Sequence, residues 1–253
     1  MPKITTSKKF WTEGWGSFGI AIGIALLIRW ALMEAYVIPS ASMLPSLLIH
    51  DHIFVNKMVY GVRVPFSEKW MIEFKKPARG EVIVFKYPLD KSTFFIKRVV
   101  GIPGDEISYE NGKLILNGKA LDTAVPTDEQ ERMFAQLRDA DFRAGGNILD
   151  ATDNYVHLME QLPPDVNHPI LLRKGESFGN NSGPWTVGER ELFVMGDNRD
   201  NSHDSRRWGF VPEENVLGRA MFVWLSCEDT LPVVSFLCNP ATVRWNRFFY
   251  NVR

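Results

Sequence analysis

The sequence predicts a mostly β protein: an antiparallel β-sheet core with an inserted smaller subdomain, anchored by one N-terminal transmembrane helix. Short runs rich in β-branched and aromatic residues alternate with turn signals beyond Pro39. A long polar stretch, 119–184, interrupts these runs, and an apolar run with a basic flank lies near the N-terminus. The 253 residues are 45% hydrophobic and 23% charged, which is ordinary for a globular protein and excludes a disordered tail or a polytopic membrane protein.

The N-terminal run is predicted to be a membrane element. Residues 1–14 are basic and are expected to form a short cytoplasmic N-terminus. The apolar run Phe18–Ile28 is shorter than the ~20 residues of a full span. A segment over 15–36 is long enough if Arg29 extends towards one boundary. A cleavable signal peptide and a retained anchor share this pattern, and both send the rest of the chain across the membrane.

Beyond this segment, the pattern favours strands, which we assign to a β core over 37–118 and 185–253. Asn111-Gly112 between two strand-like runs is a strong hairpin signal. Other turns are expected at Arg79-Gly80, at 103–105 and at 117–118. The strand-like runs are 53–55, 81–85, 94–96, 113–116, 191–195 and 220–224.

The stretch 119–184 has a different character. It is polar and rich in aspartate, and residues 128–132 suggest one short helix within much loop. We interpret it as an insertion or a second β-rich subdomain between the two halves of the core.

Charge and cysteine content exclude several classes of function. The formal net charge is −1, so no basic excess is available to neutralise a phosphate backbone, and nucleic acid is not an expected partner. Two cysteines, Cys227 and Cys238, cannot form a cysteine-based zinc site. If exported, they are expected to form a disulfide; the alternative is two unpaired thiols, one of them buried beside Trp224. His50-Asp51-His52 permits a metal, but no third ligand is evident, and we predict neither metal nor cofactor.

Three polar segments are candidates for chemistry, and the first is 38–47. Pro39 and Pro45 restrict the backbone on either side of Ser42. A rigid loop of small residues suits the presentation of a nucleophilic hydroxyl. The alternative is a plain loop that leaves the membrane helix.

The second candidate segment is 94–105. Lys97 and Arg98 are consecutive in a strand-like run, so their side chains point to opposite faces of the sheet. An inward lysine is desolvated, which lowers its pKa towards that of a useful base. The alternative is a lysine that protects a sheet edge.

The third candidate segment is 196–209, a loop dense in Asp, Asn, Arg and Ser without helical or strand periodicity. Its polar groups must satisfy one another through Asp–Arg pairs and side-chain–backbone bonds. A calcium loop fails on spacing because Arg199 and Ser202 occupy ligand and glycine positions. A Ser-His-Asp triad through His203-Asp204 is disfavoured, because adjacent His and Asp rarely reach the required geometry.

In this order, the segments resemble bacterial type I signal peptidases. The resemblance is carried by I-P-S-A-S-M-L-P-S-L at 38–47, D-H-I-F-V-N-K at 51–57, R-G-E-V-I-V-F-K-Y-P at 79–88, I-K-R-V-V-G-I-P-G-D at 96–105 and G-D-N-R-D-N-S-H-D-S-R-R-W-G at 196–209. It covers most of the predicted core, whereas 119–184 carries no usable match.

The resemblance implies a Ser–Lys endopeptidase that removes signal peptides after A-x-A-like sites. By motif position, Ser42 would be the nucleophile and Lys97 the general base. Ser40 would complete an oxyanion hole with the Ser42 backbone N–H, and Ser202 would hold the Lys97 side chain in place.

The resemblance also assigns supporting residues. Asp204 and Arg206 would pair beneath the dyad, and Arg98 would point away to a structural partner. Two departures from the commonest pattern are Ser46, where threonine is frequent, and Phe95, where tyrosine is frequent. The second is expected to alter the wall of the pocket for the side chain just before the scissile bond. The residues expected to line the pockets for small side chains are Ile38, Pro39, Met43, Leu47, Ile53, Val84, Phe95 and Ile96.

The expected partners are therefore signal peptides of exported preproteins and the lipid bilayer, with the protein acting as a monomer. The expected location is the bacterial inner membrane, with a retained single-pass anchor and the catalytic domain on the outer side. Two alternatives remain at this point: another Ser–Lys protease, such as a self-cleaving repressor, and a membrane-anchored β-rich binding or scaffold protein. Only 41 residues precede Ser42, and they are largely apolar, which disfavours a repressor with a DNA-binding domain.

Overall fold

The computed structural model describes residues 15–64, 67, 69–144, 147–148, 151–175, 182–231 and 234–252. The predicted mostly β, antiparallel architecture is confirmed. The α-helices of the described residues are α1 (Trp15–Ala31), α2 (Asp128–Phe134) and α3 (Ser205–Trp208). The strands are β1 (Met33–Val37), β2 (Asp51–Asn56), β3 (Gly61–Arg63), β4 (Trp70–Glu73), β5 (Val82–Tyr87), β6 (Asp90–Gly101), β7 (Glu106–Glu110), β8 (Lys113–Leu116), β9 (Lys119–Ala120), β10 (Thr123–Ala124), β11 (Arg143–Ala144), β12 (Asn147–Ile148), β13 (Tyr155–Leu162), β14 (Val166–Arg173), β15 (Ser182–Thr186), β16 (Glu191–Met195), β17 (Val211–Pro212), β18 (Val216–Ser226), β19 (Thr230–Leu231), β20 (Val234–Cys238) and β21 (Tyr250–Asn251).

The main sheet has the order β1-β2-β18-β5-β6-β16-β17, and β21 adds to β18. Its neighbouring strands are antiparallel, as the alternation of short strands and turns predicts. In the β5–β6 pair, Ile83 lies opposite Lys97 and Val82 lies opposite Arg98. Since successive side chains point to opposite faces, this register sends the lysine and the arginine to different sides of the sheet.

Helix α1 ends before the predicted membrane segment does. The sequence assigns 15–36 to a membrane anchor, but strand β1 begins at Met33 and pairs with β2, with Tyr36 opposite Ile53. Strand pairing satisfies the backbone groups of this stretch, and Glu34 forms an ion pair with Lys57. Residues 1–14 lie outside the described residues. No helix within the described residues is both long and apolar enough to cross a membrane.

The predicted hairpin at Asn111-Gly112 is confirmed, and it joins β7 to β8. Asn111 has φ 48° and Gly112 has φ 79°, the left-handed conformations that a two-residue hairpin turn requires. This hairpin is the centre of a second sheet of order β15-β7-β8-β9.

The inserted subdomain expected over 119–184 is not confirmed as a separate unit. Its first strand, β9, pairs with β8, and its last, β15, pairs with β7, so both ends are part of a sheet with the predicted core. Leu171 of β14 packs in one apolar cluster with Ala41 and Leu44, beside the first candidate segment. The helix expected near 128–132 is α2, which begins with a capping box between Thr127 and Gln130.

The two cysteines lie near the C-terminal ends of β18 and β20. Cys227 follows β18 and Cys238 ends β20, and the structure joins them in a disulfide across a sequence separation of 11. The predicted pairing is thus confirmed. The bond closes the loop that contains β19 and β20.

We predict that replacing both cysteines, as Cys227→Ser with Cys238→Ser, lowers the free energy of unfolding by about 2–3 kcal/mol, because the unfolded chain gains loop entropy. Urea melts of the oxidised wild type and of the double variant measure this difference. The oxidised, denatured wild type should contain no titratable thiol. Two free thiols, or equal stability of the two proteins, would contradict the pairing.

Candidate active site

Ser42 lies in a single helical turn, Ala41–Met43, between β1 and β2. Only 7% of the surface of Ser42 is exposed. The loop from the third candidate segment holds this turn. Asn198 N–H donates to the Ser42 carbonyl at 3.2 Å, and the Asn198 amide donates to the Ala41 carbonyl at 3.2 Å. The hydroxyl is therefore presented by a turn that is fixed from a second part of the chain.

Lys97 lies against this hydroxyl. Its Nζ donates to Ser42 Oγ at 2.5 Å, and the lysine is only 4% exposed. Ser40 Oγ is 3.4 Å from Ser42 Oγ, at the more exposed side of the same turn. The Phe95 ring centroid is 5.5 Å from Lys97 Nζ. The structure thus brings together the two residues that the motifs single out, with an aromatic ring covering the amine.

Burial lowers the pKa of Lys97 from its ordinary value to about 8. The carboxylates of Asp204 and Asp197 act in the opposite direction, and the Arg206 guanidinium lowers the pKa further. An amine with this pKa is partly neutral at mildly alkaline pH. In the neutral form, the same short contact allows the Ser42 hydroxyl to donate its proton to Nζ.

Arg98 points to the other face of the sheet, as the two-residue strand period predicts, and is fully buried. Its Nε donates to Asp197 Oδ1 at 2.8 Å and its Nη2 to Asp197 Oδ2 at 2.7 Å. Its Nη1 donates to the Gly80 carbonyl at 2.8 Å. Ser46 Oγ also donates to Asp197 Oδ2, at 2.5 Å. This pair ties β6 to the loop after β16 and to the segment that follows Ser42.

Asp204 and Arg206 form the expected pair below the dyad. Arg206 donates from Nε and Nη2 to the two carboxylate oxygens, both at 2.9 Å, and Gly196 N–H donates to Asp204 Oδ2 at 3.0 Å. Burial raises the pKa of Asp204, but the guanidinium and these hydrogen bonds outweigh it and hold the pKa below its usual value. The Asp204 carboxylate is therefore charged and already bound by Arg206 and by the Gly196 N–H.

Ser202 is placed next to the dyad without contacting the amine directly. Its Oγ is buried and makes no hydrogen bond to Lys97 within the described residues. A Cβ added to Gly196 would lie 2.3 Å from Ser202 Oγ and 2.4 Å from the Ser42 carbonyl oxygen. Only glycine at this position allows the two loops to approach so closely.

Beside the dyad lies an open cleft of about 830 Å³. Its walls come from 39–42, from 93–97 and from the loop 200–203 together with Arg207. Of the predicted pocket residues, Pro39 is exposed at this cleft and Phe95 stacks on Tyr87. The other six are buried together in one apolar cluster: Ile38, Met43, Leu47, Ile53, Val84 and Ile96.

A second buried ion pair supports the same loop and was not predicted. Arg199 donates from Nη1 and Nη2 to the Glu160 carboxylate at 2.8 and 2.5 Å, and from Nε to the Gly196 carbonyl at 3.2 Å. His168 lies against this pair, and burial together with the charges of Arg98 and Arg199 holds its pKa well below the usual value. The sequence predicts that the polar groups of 196–209 bond one another. No local pattern indicates that Arg199 of this loop pairs with Glu160 of strand β13.

Two arginines of the C-terminal segment also hold the region that follows Ser42, and the sequence does not predict their partners. Arg247 donates from Nε and Nη2 to the buried Asp51 carboxylate at 3.1 and 2.5 Å, and from Nη2 to the Ser46 carbonyl at 3.1 Å. Arg244 donates to Asp141 at 2.7 Å and to the Ile49 carbonyl at 3.0 Å. The segment after Ser42 is therefore held from a part of the chain almost 200 positions later.

Of the two histidines considered for a metal, His52 lies in β2, whereas His50 lies outside the strand. His50 precedes β2 with φ 64°, and its Nδ1 lies 3.0 Å from the Glu228 carbonyl. His52 packs edge-on against Trp224 and lies next to the disulfide.

Comparison with known proteins agrees with these motifs. A family model described as signal peptidase, peptidase S26, matches residues 11–225. The signal peptidase I of Pseudomonas fluorescens is 38% identical over 234 residues, covering 88% of this chain and 75% of that protein. The signal peptidase I of Buchnera aphidicola subsp. Acyrthosiphon pisum is 35% identical over 250 residues, covering 88% and 77%. A solved signal peptidase I from Enterococcus faecalis is 24% identical with a TM-score of 0.32, covering 58% of this chain and 98% of that one, and so low a score adds nothing to the sequence match.

We predict that Lys97→Met is at least as stable as the wild type at pH 7. The pKa of Lys97 is lower in the folded chain than in the unfolded chain, so the unfolded chain binds the proton more readily. The wild type is therefore destabilised by about 3 kcal/mol below pH 8, and this cost disappears as pH rises towards the unfolded value near 10.5. Methionine fills a similar volume without that cost.

Denaturant melts of both proteins between pH 6 and pH 10 measure the difference. The stability advantage of the variant should be constant from pH 6 to about pH 8 and should narrow between pH 8 and pH 10. Lys113→Met, at an exposed position of β8, controls for the removal of a lysine. A stability loss of several kcal/mol in Lys97→Met at pH 7 would show that Lys97 is a charged structural residue.

Proposed function

Because the chain belongs to the signal peptidase family, peptidase S26, and is a signal peptidase, a serine protease, we propose a more specific function for it. It is a membrane-bound endopeptidase that cleaves the signal peptides of exported preproteins with a Ser42–Lys97 dyad. The observation that carries the proposal is the 2.5 Å contact between Lys97 Nζ and Ser42 Oγ, with the lysine buried. No histidine takes part in that contact.

In the proposed reaction, neutral Lys97 accepts the proton of the Ser42 hydroxyl while Oγ attacks the scissile carbonyl. The resulting ammonium then donates a proton to the leaving amine, which departs with the mature protein. A water molecule then attacks the acyl-enzyme and Lys97 accepts its proton. Lys97 returns this proton to Ser42 Oγ as the Oγ–acyl bond breaks, which releases the signal peptide as a free acid and regenerates the dyad. The lowered pKa of Lys97 supports this role, because the base must be neutral at working pH.

The oxyanion of the tetrahedral intermediate is proposed to be stabilised by the Ser40 hydroxyl and the Ser42 backbone N–H. Ser40 Oγ lies 3.4 Å from Ser42 Oγ in the free protein. At this distance, the Ser40 hydroxyl can turn towards the oxyanion that forms when Ser42 attacks the substrate carbonyl. Ser202 is proposed to position the amine as Lys97 changes protonation state, because its buried hydroxyl lies beside the dyad.

The substrate is proposed to bind as an extended strand beside residues 95–97 of β6, because β16 pairs with β6 only from Arg98 onwards, whereas β5 is paired on both sides. Small side chains at the first and third positions before the scissile bond would face the apolar cluster that contains Ile38, Met43 and Ile96. A confined apolar wall excludes large side chains sterically, which favours A-x-A-like sites. Phe95 adds a further apolar wall next to the amine.

Membrane attachment through the N-terminal segment is part of the proposal. α1 is rich in apolar residues and ends two residues before β1, and β1 leads directly to the turn of Ser42. A retained anchor there would keep the dyad at the level where an embedded signal peptide presents its cleavage site. The proposed orientation has the N-terminus in the cytoplasm and the protease domain outside the inner membrane. The protein is proposed to act as a monomer.

The test is a cleavage assay on a preprotein with an A-x-A site, using wild type, Ser42→Ala and Lys97→Ala. Wild type should release the mature protein, and both variants should lose at least 10³-fold in kcat/KM, since each removes one half of the dyad. The wild-type rate should rise with pH through about 8 as Lys97 loses its proton.

Arg138→Ala serves as the control, because Arg138 is an exposed residue whose ion pair with Glu228 lies away from the cleft. It should cleave at the wild-type rate. Cleavage by Ser42→Ala, or a rate independent of pH between 6 and 9, would contradict the proposed dyad.

A further inference from the structure

Two consecutive arginines on α3 have opposite environments. Arg206 is engaged: it bonds Asp204, donates to the Arg199 carbonyl at 2.6 Å and lies 4.8 Å from the Tyr109 ring centroid. Arg207 is exposed, and its guanidinium makes no ion pair or hydrogen bond with other described residues. Yet Arg207 lines the same cleft as Ser42 and Lys97. The loop 196–209 thus presents the unpaired guanidinium of Arg207 to a substrate bound in this cleft.

The two sides of the cleft differ in chemistry. Next to Ser42, the cleft is lined by Pro39, Ala41 and Ile96, which suits small side chains before the scissile bond. The loop wall instead carries His203, which packs edge-on against the stacked rings of Tyr87 and Phe95, and Asp200, whose carboxylate accepts the Arg173 N–H at 2.7 Å. A polar wall of this kind does not suit the apolar signal peptide. It is therefore available to the residues that follow the scissile bond.

We infer that Arg207 determines specificity on the mature side of the substrate, where it favours an acidic side chain among the first three residues after the cleavage site and disfavours a basic one. This inference rests on the proposed function of the dyad. The guanidinium is exposed, so the interaction is screened by solvent and modest in size. We expect about a threefold to tenfold difference in kcat/KM between matched acidic and basic substrates.

The experiment uses preproteins that differ only at the first, second or third position after the scissile bond, with Glu, Gln or Lys there. Each is cleaved by wild type, Arg207→Gln and Arg207→Glu. At one or more of the three positions, wild type should prefer Glu over Lys. The preference should fall to about one with Arg207→Gln and reverse with Arg207→Glu. The Gln substrates report whether each variant retains a working dyad.

Arg132→Glu is the matched control, since Arg132 is exposed on α2, outside the cleft, and its replacement changes the net charge equally. It should keep the wild-type preference. A preference that is absent from wild type, persists in both Arg207 variants or shifts equally in Arg132→Glu would overturn the inference and leave the dyad intact. Failure of wild type to cleave any of the substrates would instead overturn the proposed function, and the inference with it.

Discussion

The burial of one amine is the constraint on which the rest of the site depends. Lys97 can be neutral near pH 8 only if water is excluded from it and no nearby carboxylate is free to hold its proton. Two carboxylates do act on it, those of Asp197 and Asp204, and both favour the charged form. Each, however, is already bound by its own arginine: Asp197 by Arg98 and Asp204 by Arg206. Arg206 also lowers the pKa of the amine through its own charge, whereas Arg98 acts by occupying the Asp197 carboxylate.

These pairs also fix the geometry. Strand β6 contributes Lys97 to the cleft and Arg98 to the opposite face, so the pair with Asp197 sets the position of the lysine indirectly. Arg199 with Glu160, and Arg247 with Asp51, hold the neighbouring loops in the same way. Buried pairs contribute little net stability, but loss of one partner leaves an unpaired charge and costs several kcal/mol. They therefore specify one arrangement of the loops around Ser42 more than they stabilise the fold.

Much of this arrangement could be predicted from local sequence. The period of two residues in strands places Lys97 and Arg98 on opposite faces, and Asn111-Gly112 requires a tight hairpin. The partners of the buried arginines could not be predicted, because Asp51 and Arg247 are separated by 196 positions and the chain has many other carboxylates. The polar composition of 119–184 suggested a separate subdomain, but composition does not report backbone pairing with β7 and β8. The sequence did not predict that α1 ends at Ala31 for the same reason, since Met33 is as compatible with an apolar helix as with an edge strand.

The protonation state of Lys97 is the central claim, and it can be measured directly. Protein labelled with ¹³C at the lysine ε-carbons gives one titrating NMR signal per lysine, and the Lys97→Met variant identifies the signal of Lys97 by its absence. We predict a midpoint near pH 8 for that signal in the folded wild type. A midpoint near 10.5, the ordinary value for lysine, would show that the amine is charged at working pH and would contradict the account.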